Sequence, residues 1–166
     1  MKGLKNLPLL VLLALMSCHQ DQNENAKSQN TTSTIALEKQ PPVFTPSELP
    51  YPFSSAVQVG DVLYLSGEIG ASEDGTAVVP GGIEPETKRM FERIEATLAQ
   101  HDLGFEDVFK CTVMLADMSE WPKFNEIYAG YFEAGKYPTR SAMGVNGLAL
   151  GARVEMECWA YKPQSN

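Results

Sequence analysis

Arg153-Val154-Glu155-Met156-Glu157-Cys158-Trp159-Ala160-Tyr161 alternates along its whole length. Val154, Met156, Cys158 and Ala160 fall on one side of an extended chain. Arg153, Glu155, Glu157, Trp159 and Tyr161 fall on the other. A period of two predicts a strand with one face on an apolar core. The second face mixes carboxylates with two large aromatics, so it is expected to be covered, either by another subunit or as the wall of a cleft. Upstream, Tyr137-Pro138-Thr139-Arg140-Ser141-Ala142-Met143-Gly144-Val145 predicts a second extended run, with Pro138 holding Tyr137 out of the helical region. Asn146-Gly147 and Gly151 lie between the two runs and predict a hairpin. Paired in register or one diagonal step apart, Arg140 and Glu155 would project from the same face; a slip of one residue would separate them.

Two meanings fit that pair. A guanidinium on a rigid strand grips a small carboxylate with both arms, and a glutamate beside it holds or activates a water. Alternatively, the two form a structural ion pair at an interface.

Composition narrows the field. The 166 residues predict one domain. A net charge of −8 argues against nucleic-acid binding and against adsorption to anionic lipid. The three cysteines form no Cys-x-x-Cys, and His19 and His101 stand alone, so no zinc or haem constellation is visible. Cys111 reads as a small buried residue. A Cys111–Cys158 disulfide is an alternative that sequence leaves open.

The amino terminus reads as a targeting segment. Lys2 and Lys5 precede the apolar run from Leu7 to Met16, which is too short to span a bilayer. Leu15-Met16-Ser17-Cys18 resembles a bacterial lipoprotein signal, which makes residues 1–17 a cleaved leader and Cys18 the lipidated first residue. The alternative is an ordinary secretory signal and a soluble periplasmic or secreted protein. On the lipoprotein reading, the only membrane contact is the lipid anchor in the cell envelope. The polar stretch to residue 33 reads as a tether, residues 34–163 as the folded domain, and residues 164–166 as a tail. Thr34–Leu37 is expected to form a short edge strand, and Pro41, Pro42, Pro46 and Pro50 to hold the chain extended after it.

Inside the domain, Ala56–Val59, the turn Gly60-Asp61, and Val62–Leu65 with Ser66-Gly67 predict two strands ending where backbone N–H groups can approach a ligand. Glu84, Pro85 and Glu86 open a helix whose stripe is Thr87, Met90, Phe91, Ile94 and Leu98, closed at Leu103-Gly104. Val108–Leu115 predicts a mostly buried strand. Ser119 is expected to cap a second helix, with Pro122 in its first turn, Trp121, Phe124, Tyr128, Tyr131 and Phe132 on its buried side, and Gly135 at its end. The order of elements predicts an α+β layer with two helices on one sheet face and the other face left for oligomerisation.

Four segments now coincide: Pro52-Phe53-Ser54-Ser55-Ala56-Val57 before Leu63-Tyr64-Leu65-Ser66-Gly67-Glu68; Asn125 in the second helix; Pro138-Thr139-Arg140-Ser141-Ala142; and Val154-Glu155-Met156-Glu157. Together they resemble the RidA/YjgF family of enamine/imine deaminases over the whole folded part. The resemblance implies a chorismate-mutase-like fold, a homotrimer with clefts between neighbouring subunits, and metal- and cofactor-free hydrolysis of 2-imino or 2-enamino acids to 2-oxo acids and ammonia. It implies that Arg140 binds the substrate carboxylate and that Glu155 handles the water. Ser66, Gly67, Asn125 and the backbone around Ala142 would line the cleft. Phe53 stands where these deaminases commonly carry a tyrosine, so a phenolic hydroxyl is missing there. Ala142 replaces a frequent cysteine. An envelope location would also change the substrate supply. The alternative is therefore a non-catalytic module of the envelope, a small-carboxylate binder or stress holdase, using the same cleft.

Overall fold

The structure is a computed structural model that describes residues 40–163. The expected leader, Cys18, the tether, the Thr34–Leu37 strand and the tail lie outside the described residues.

Among the described residues, seven strands form one sheet against two α-helices: β1 Val43–Pro46, β2 Ser54–Val59, β3 Val62–Leu65, β4 Glu68–Ile69, α1 Ile83–Ala99, β5 Val108–Leu115, α2 Trp121–Ala129, β6 Thr139–Gly144 and β7 Val154–Tyr161. The strand order is β1-β2-β3-β7-β5-β6, with β4 also paired to β7. β2 and β3 form the expected hairpin around Gly60, whose φ of 59° suits a tight turn. β1 contains Pro46, and it is an edge strand, where a residue without an N–H is tolerated.

The alternation in β7 sets the layers. Val154, Met156, Cys158 and Ala160 are fully buried, and with Cys111, Val113 and Leu115 of β5 they form the core under the helices. The helices supply Met90, Phe91, Ile94 and Leu98 from α1 and Phe124 and Tyr128 from α2. Phe91 stacks flat on Tyr131 at 3.8 Å and meets Phe105 edge-on at 5.6 Å, sealing the helix layer. The buried apolar side chains supply most of the folding free energy, each worth roughly 1.5–3 kcal/mol. On the opposite face no helix packs among the described residues. Tyr64 meets Trp159 edge-on at 4.9 Å, and Phe109 joins them, leaving an aromatic cluster on a bare sheet.

Four local expectations are corrected. The hairpin between residues 137–145 and 153–161 does not form. β6 instead pairs in parallel with β5, and β5 lies between β6 and β7. Parallel neighbours need a crossover, and α2 supplies it. The first helix ends at Ala99 rather than near Leu103, because Asp102 turns left-handed at φ 59° and Leu103 N–H donates back to Leu98 O. Ser119 caps nothing. Asp117 accepts from Ser119 N–H and caps a short 3-10 turn before α2. The second helix stops at Ala129, so Tyr131 and Phe132 pack from the loop beyond it, and Gly130 rather than Gly135 closes it. In addition, β5 is buried on one face only, alternating like β7.

Cys111 and Cys158 are register partners on neighbouring strands and are free thiols, with Sγ atoms 2.9 Å apart. The contact lowers the Cys111 pKa and raises that of Cys158, as expected when one thiol donates to the other's sulfur.

Candidate active site

Register settles where Arg140 points. It sits opposite Cys111, which sits opposite Cys158, so Arg140 shares the helix-facing side. Glu155 is three residues from Cys158 along β7 and projects from the other side. The two side chains therefore lie on opposite faces of the sheet and line two different cavities. The expected juxtaposition failed with the hairpin, because an interposed strand replaced direct pairing.

Arg140 is built into a cradle. Its Nη2 donates to Asn125 Oδ1 at 2.7 Å. Its guanidinium carbon lies 4.6 Å from the centroid of Trp121 and 4.2 Å from that of Tyr128. Nη1 is buried with no hydrogen-bond partner among the described residues, an expensive arrangement for a cationic donor. A cavity of about 400 Å³ opens beside it, lined by Asn125, Tyr128, Ala129, Tyr137, Pro138 and Arg140. A planar cation held by an aromatic cradle and one amide, with a free arm, is suited to a carboxylate. Ala142 lies two residues further along the same edge strand and is exposed.

Glu155 lies in a different cavity, on the far face. A cavity of about 490 Å³ is lined by Phe53, Ser66, Gly67 and Glu155, together with Leu49, Tyr51, Ile69 and Leu150. Burial raises the Glu155 pKa, and the negative charges of Glu68 and Glu157 raise it further. Glu68 itself is bound by Arg93 Nε at 2.7 Å, yet its own burial still outweighs that cation and holds its pKa up. Ser66 donates its hydroxyl hydrogen to Ser54 O at 2.6 Å, so towards anything else its oxygen can only accept.

Gly67 has a steric reason to be glycine. A Cβ there would overlap Glu155 Oε1, so the missing side chain makes room for the carboxylate. Gly67→Ala is expected to swing Glu155 aside and lower turnover about 10–100-fold while the fold is retained. Parallel kcat and thermal-melting measurements check this, and an unchanged kcat would mean that the Glu155 rotamer is unimportant.

Sequence reasoning named Arg140, Asn125, Glu155, Ser66, Gly67, Phe53 and Ala142. It missed Tyr51, which stacks on Phe53 with ring centroids 6.4 Å apart, and it missed Leu49, Ile69 and Leu150. The first two lie among prolines and the last in a turn, where no periodicity marks an apolar residue as functional.

The α+β layer thus carries an arginine cradle at the sheet edge and a carboxylate in a largely apolar cleft on its other face. The chain belongs to the endoribonuclease L-PSP family, whose sequence profile matches residues 46–162; this is the family towards which the RidA/YjgF resemblance pointed. It is 40% identical over 111 residues to the 2-iminobutanoate/2-iminopropanoate deaminase of Mus musculus, covering 67% of this chain and 82% of the mouse protein. A RutC family protein of Pyrococcus abyssi is 38% identical, covering 67% and 87%. Among solved structures, yeast Mmf1 superposes with a TM-score of 0.66 at 29% identity, covering 74% of this chain and 99% of that one. RidA from an Antarctic Psychrobacter superposes with a TM-score of 0.64 at 30% identity, covering 71% and 94%.

Proposed function

We propose that this protein hydrolyses 2-imino and 2-enamino acids to 2-oxo acids and ammonia at sites shared between neighbouring copies of the chain. The observation that carries the proposal is the division of the chemistry. An arginine with a free buried arm sits on one face and a perturbed carboxylate on the other, and each is half of a deaminase site. The aromatic face around Tyr64 and Trp159 gives the copies a surface on which to meet, and the family resemblance supports a trimer. The named deaminase relatives supply the reaction class.

In a shared site, Arg140 of one copy binds the substrate carboxylate and fixes C2 of the imine against Glu155 of the next. Glu155 accepts a proton from a water as its oxygen bonds to C2 and the C=N π electrons move to nitrogen. Glu155 returns that proton to the nitrogen, giving the carbinolamine; it then takes the hydroxyl proton and delivers it to the same nitrogen as the C–N bond breaks, so that ammonia leaves and the carbonyl of the 2-oxo acid forms. An enamine enters after protonation at C3. The substrate is intrinsically labile, so positioning provides most of the acceleration. The family's endoribonuclease description fits less well, since a net charge of −8 repels a polyphosphate. Phe53 supports the alternative of a carboxylate-binding module without turnover; calorimetric binding of a 2-oxo acid with no imine clearance would establish it. The Leu15–Cys18 pattern supports anchoring of the domain in the cell envelope through Cys18.

Subunit mixing tests the shared site. Arg140→Ala and Glu155→Gln proteins should each be nearly inactive, whereas unfolding and co-refolding them together should restore activity. Roughly a quarter of sites would regain both wild-type groups under random mixing. No recovery in verified mixed oligomers would put both residues in one subunit's site or remove one of them from catalysis. Trp159→Asp should convert the assembly to monomers by light scattering, with loss of activity, since a buried unpaired charge opposes association.

A further inference from the structure

The walls of the Glu155 cavity carry more information than its carboxylate. Tyr51, Phe53 and Leu150 are each more than two-fifths exposed, and all three line this one cavity with Leu49 and Ile69. Large apolar side chains are rarely left open to water in such a cluster unless something apolar covers them. Leu150 also holds φ 56°, a left-handed conformation that leucine seldom adopts. The fold therefore tolerates a strained residue at the cavity wall. The charges present do not offer an alternative ligand chemistry. Arg93 is bound to Glu68, so the remaining charged group is Glu155 itself. An acidic substrate side chain would face the Glu155 carboxylate, and a polar one would lose water to a largely apolar wall. The cavity that one copy presents is about 490 Å³, far larger than a methyl or ethyl side chain, which leaves room for a bulkier one beside the neighbouring copy's contribution.

We infer that this cavity selects 2-imino acids with a bulky branched-aliphatic or aromatic side chain over the methyl and ethyl compounds for which the mouse relative is named. The inference rests on the deaminase reading above and adds the substrate class. Tyr51, Phe53 and Leu150 are the residues that set it. The carboxylate stays on the neighbouring copy's Arg140, and the side chain runs along the Tyr51–Phe53 stack.

The test uses the full-length protein with imines generated by an amino-acid oxidase from L-alanine, L-2-aminobutyrate, L-leucine and L-phenylalanine. The kcat/KM for the leucine- and phenylalanine-derived imines is expected to exceed that for the alanine-derived imine by at least about tenfold. Leu150→Gly relieves the left-handed strain, so its melting temperature should not fall, yet it should narrow that ratio about fivefold. Independently of turnover, 4-methyl-2-oxopentanoate should bind about tenfold more tightly than pyruvate by calorimetry. Equal clearance of all four imines, or a preference for the alanine-derived one, overturns the size selection and leaves the deaminase reading standing. Clearance of none of them overturns the deaminase reading. Equal binding of the two 2-oxo acids overturns the apolar subsite whatever the turnover.

Discussion

Arg140→Ala is expected to lower kcat/KM on a 2-imino acid by about 10²–10³-fold. A carboxylate held by both arms of a guanidinium makes two charge-assisted hydrogen bonds, each worth roughly 1.5–3 kcal/mol when desolvated. Nη2 is already shared with Asn125, so the free Nη1 contributes the larger part. The loss should appear chiefly in KM, with a smaller loss in kcat from poorer alignment of C2. Arg140→Lys should recover little of it, because an ammonium cannot match the fork or lie flat between Trp121 and Tyr128. Stability should move by only about 1–2 kcal/mol, since the lost ring contacts are offset by removal of a buried, unpartnered donor. Steady-state clearance of an oxidase-generated imine checks this prediction. Equal rates in wild type and Arg140→Ala would dismiss the arginine as the carboxylate ligand.

That residue also shows where sequence reasoning reached its limit. The alternation of β7 and the stripe of α1 were legible because periodicity reports directly on which side of an element is dry. Glu155 was correctly assigned to the face away from the core by parity alone. Arg140 was not, because its facing depends on its partner strand. Asn146-Gly147 and Gly151 are strong local turn signals and suggested a hairpin, yet the tertiary sheet inserts β5 between the two runs. Nothing local to β6 records that α2 carries it back alongside β5. The consequence reaches the proposed function: the same two residues change from neighbours on one sheet face to residues on opposite faces, which is why the proposed site draws them from two copies. The apolar wall was invisible for a related reason. Leu49, Tyr51 and Leu150 come from irregular segments, and only the folded chain brings them to Glu155.

Glu155→Gln should lower kcat by about 10²–10⁴-fold and, at neutral pH, make the protein more stable. The first effect follows from loss of the group that accepts the water's proton. The second follows from linkage. Burial, then Glu68 and Glu157, raise the Glu155 pKa above its unfolded value. Between those two values the native state binds more protons than the unfolded state, so stability declines as pH rises through that window. Above the raised pKa the full penalty of an ionised, half-buried carboxylate is present. Glutamine carries no such charge, so the variant's melting temperature should match wild type in acid and exceed it by a few degrees near neutrality. The activity profile should mirror this. Wild-type turnover should fall on acidification at a pH above the ordinary glutamate range, and the residual turnover of Glu155→Gln should show no such limb. Calorimetric melting and imine clearance across the same pH series check both halves together. A limb that persists unchanged in the variant belongs to another group, whereas a variant that is less stable at neutral pH would show that the carboxylate is a structural partner. Gain of stability with loss of turnover distinguishes a charge kept in an unfavourable place for its chemistry from one kept there for the fold.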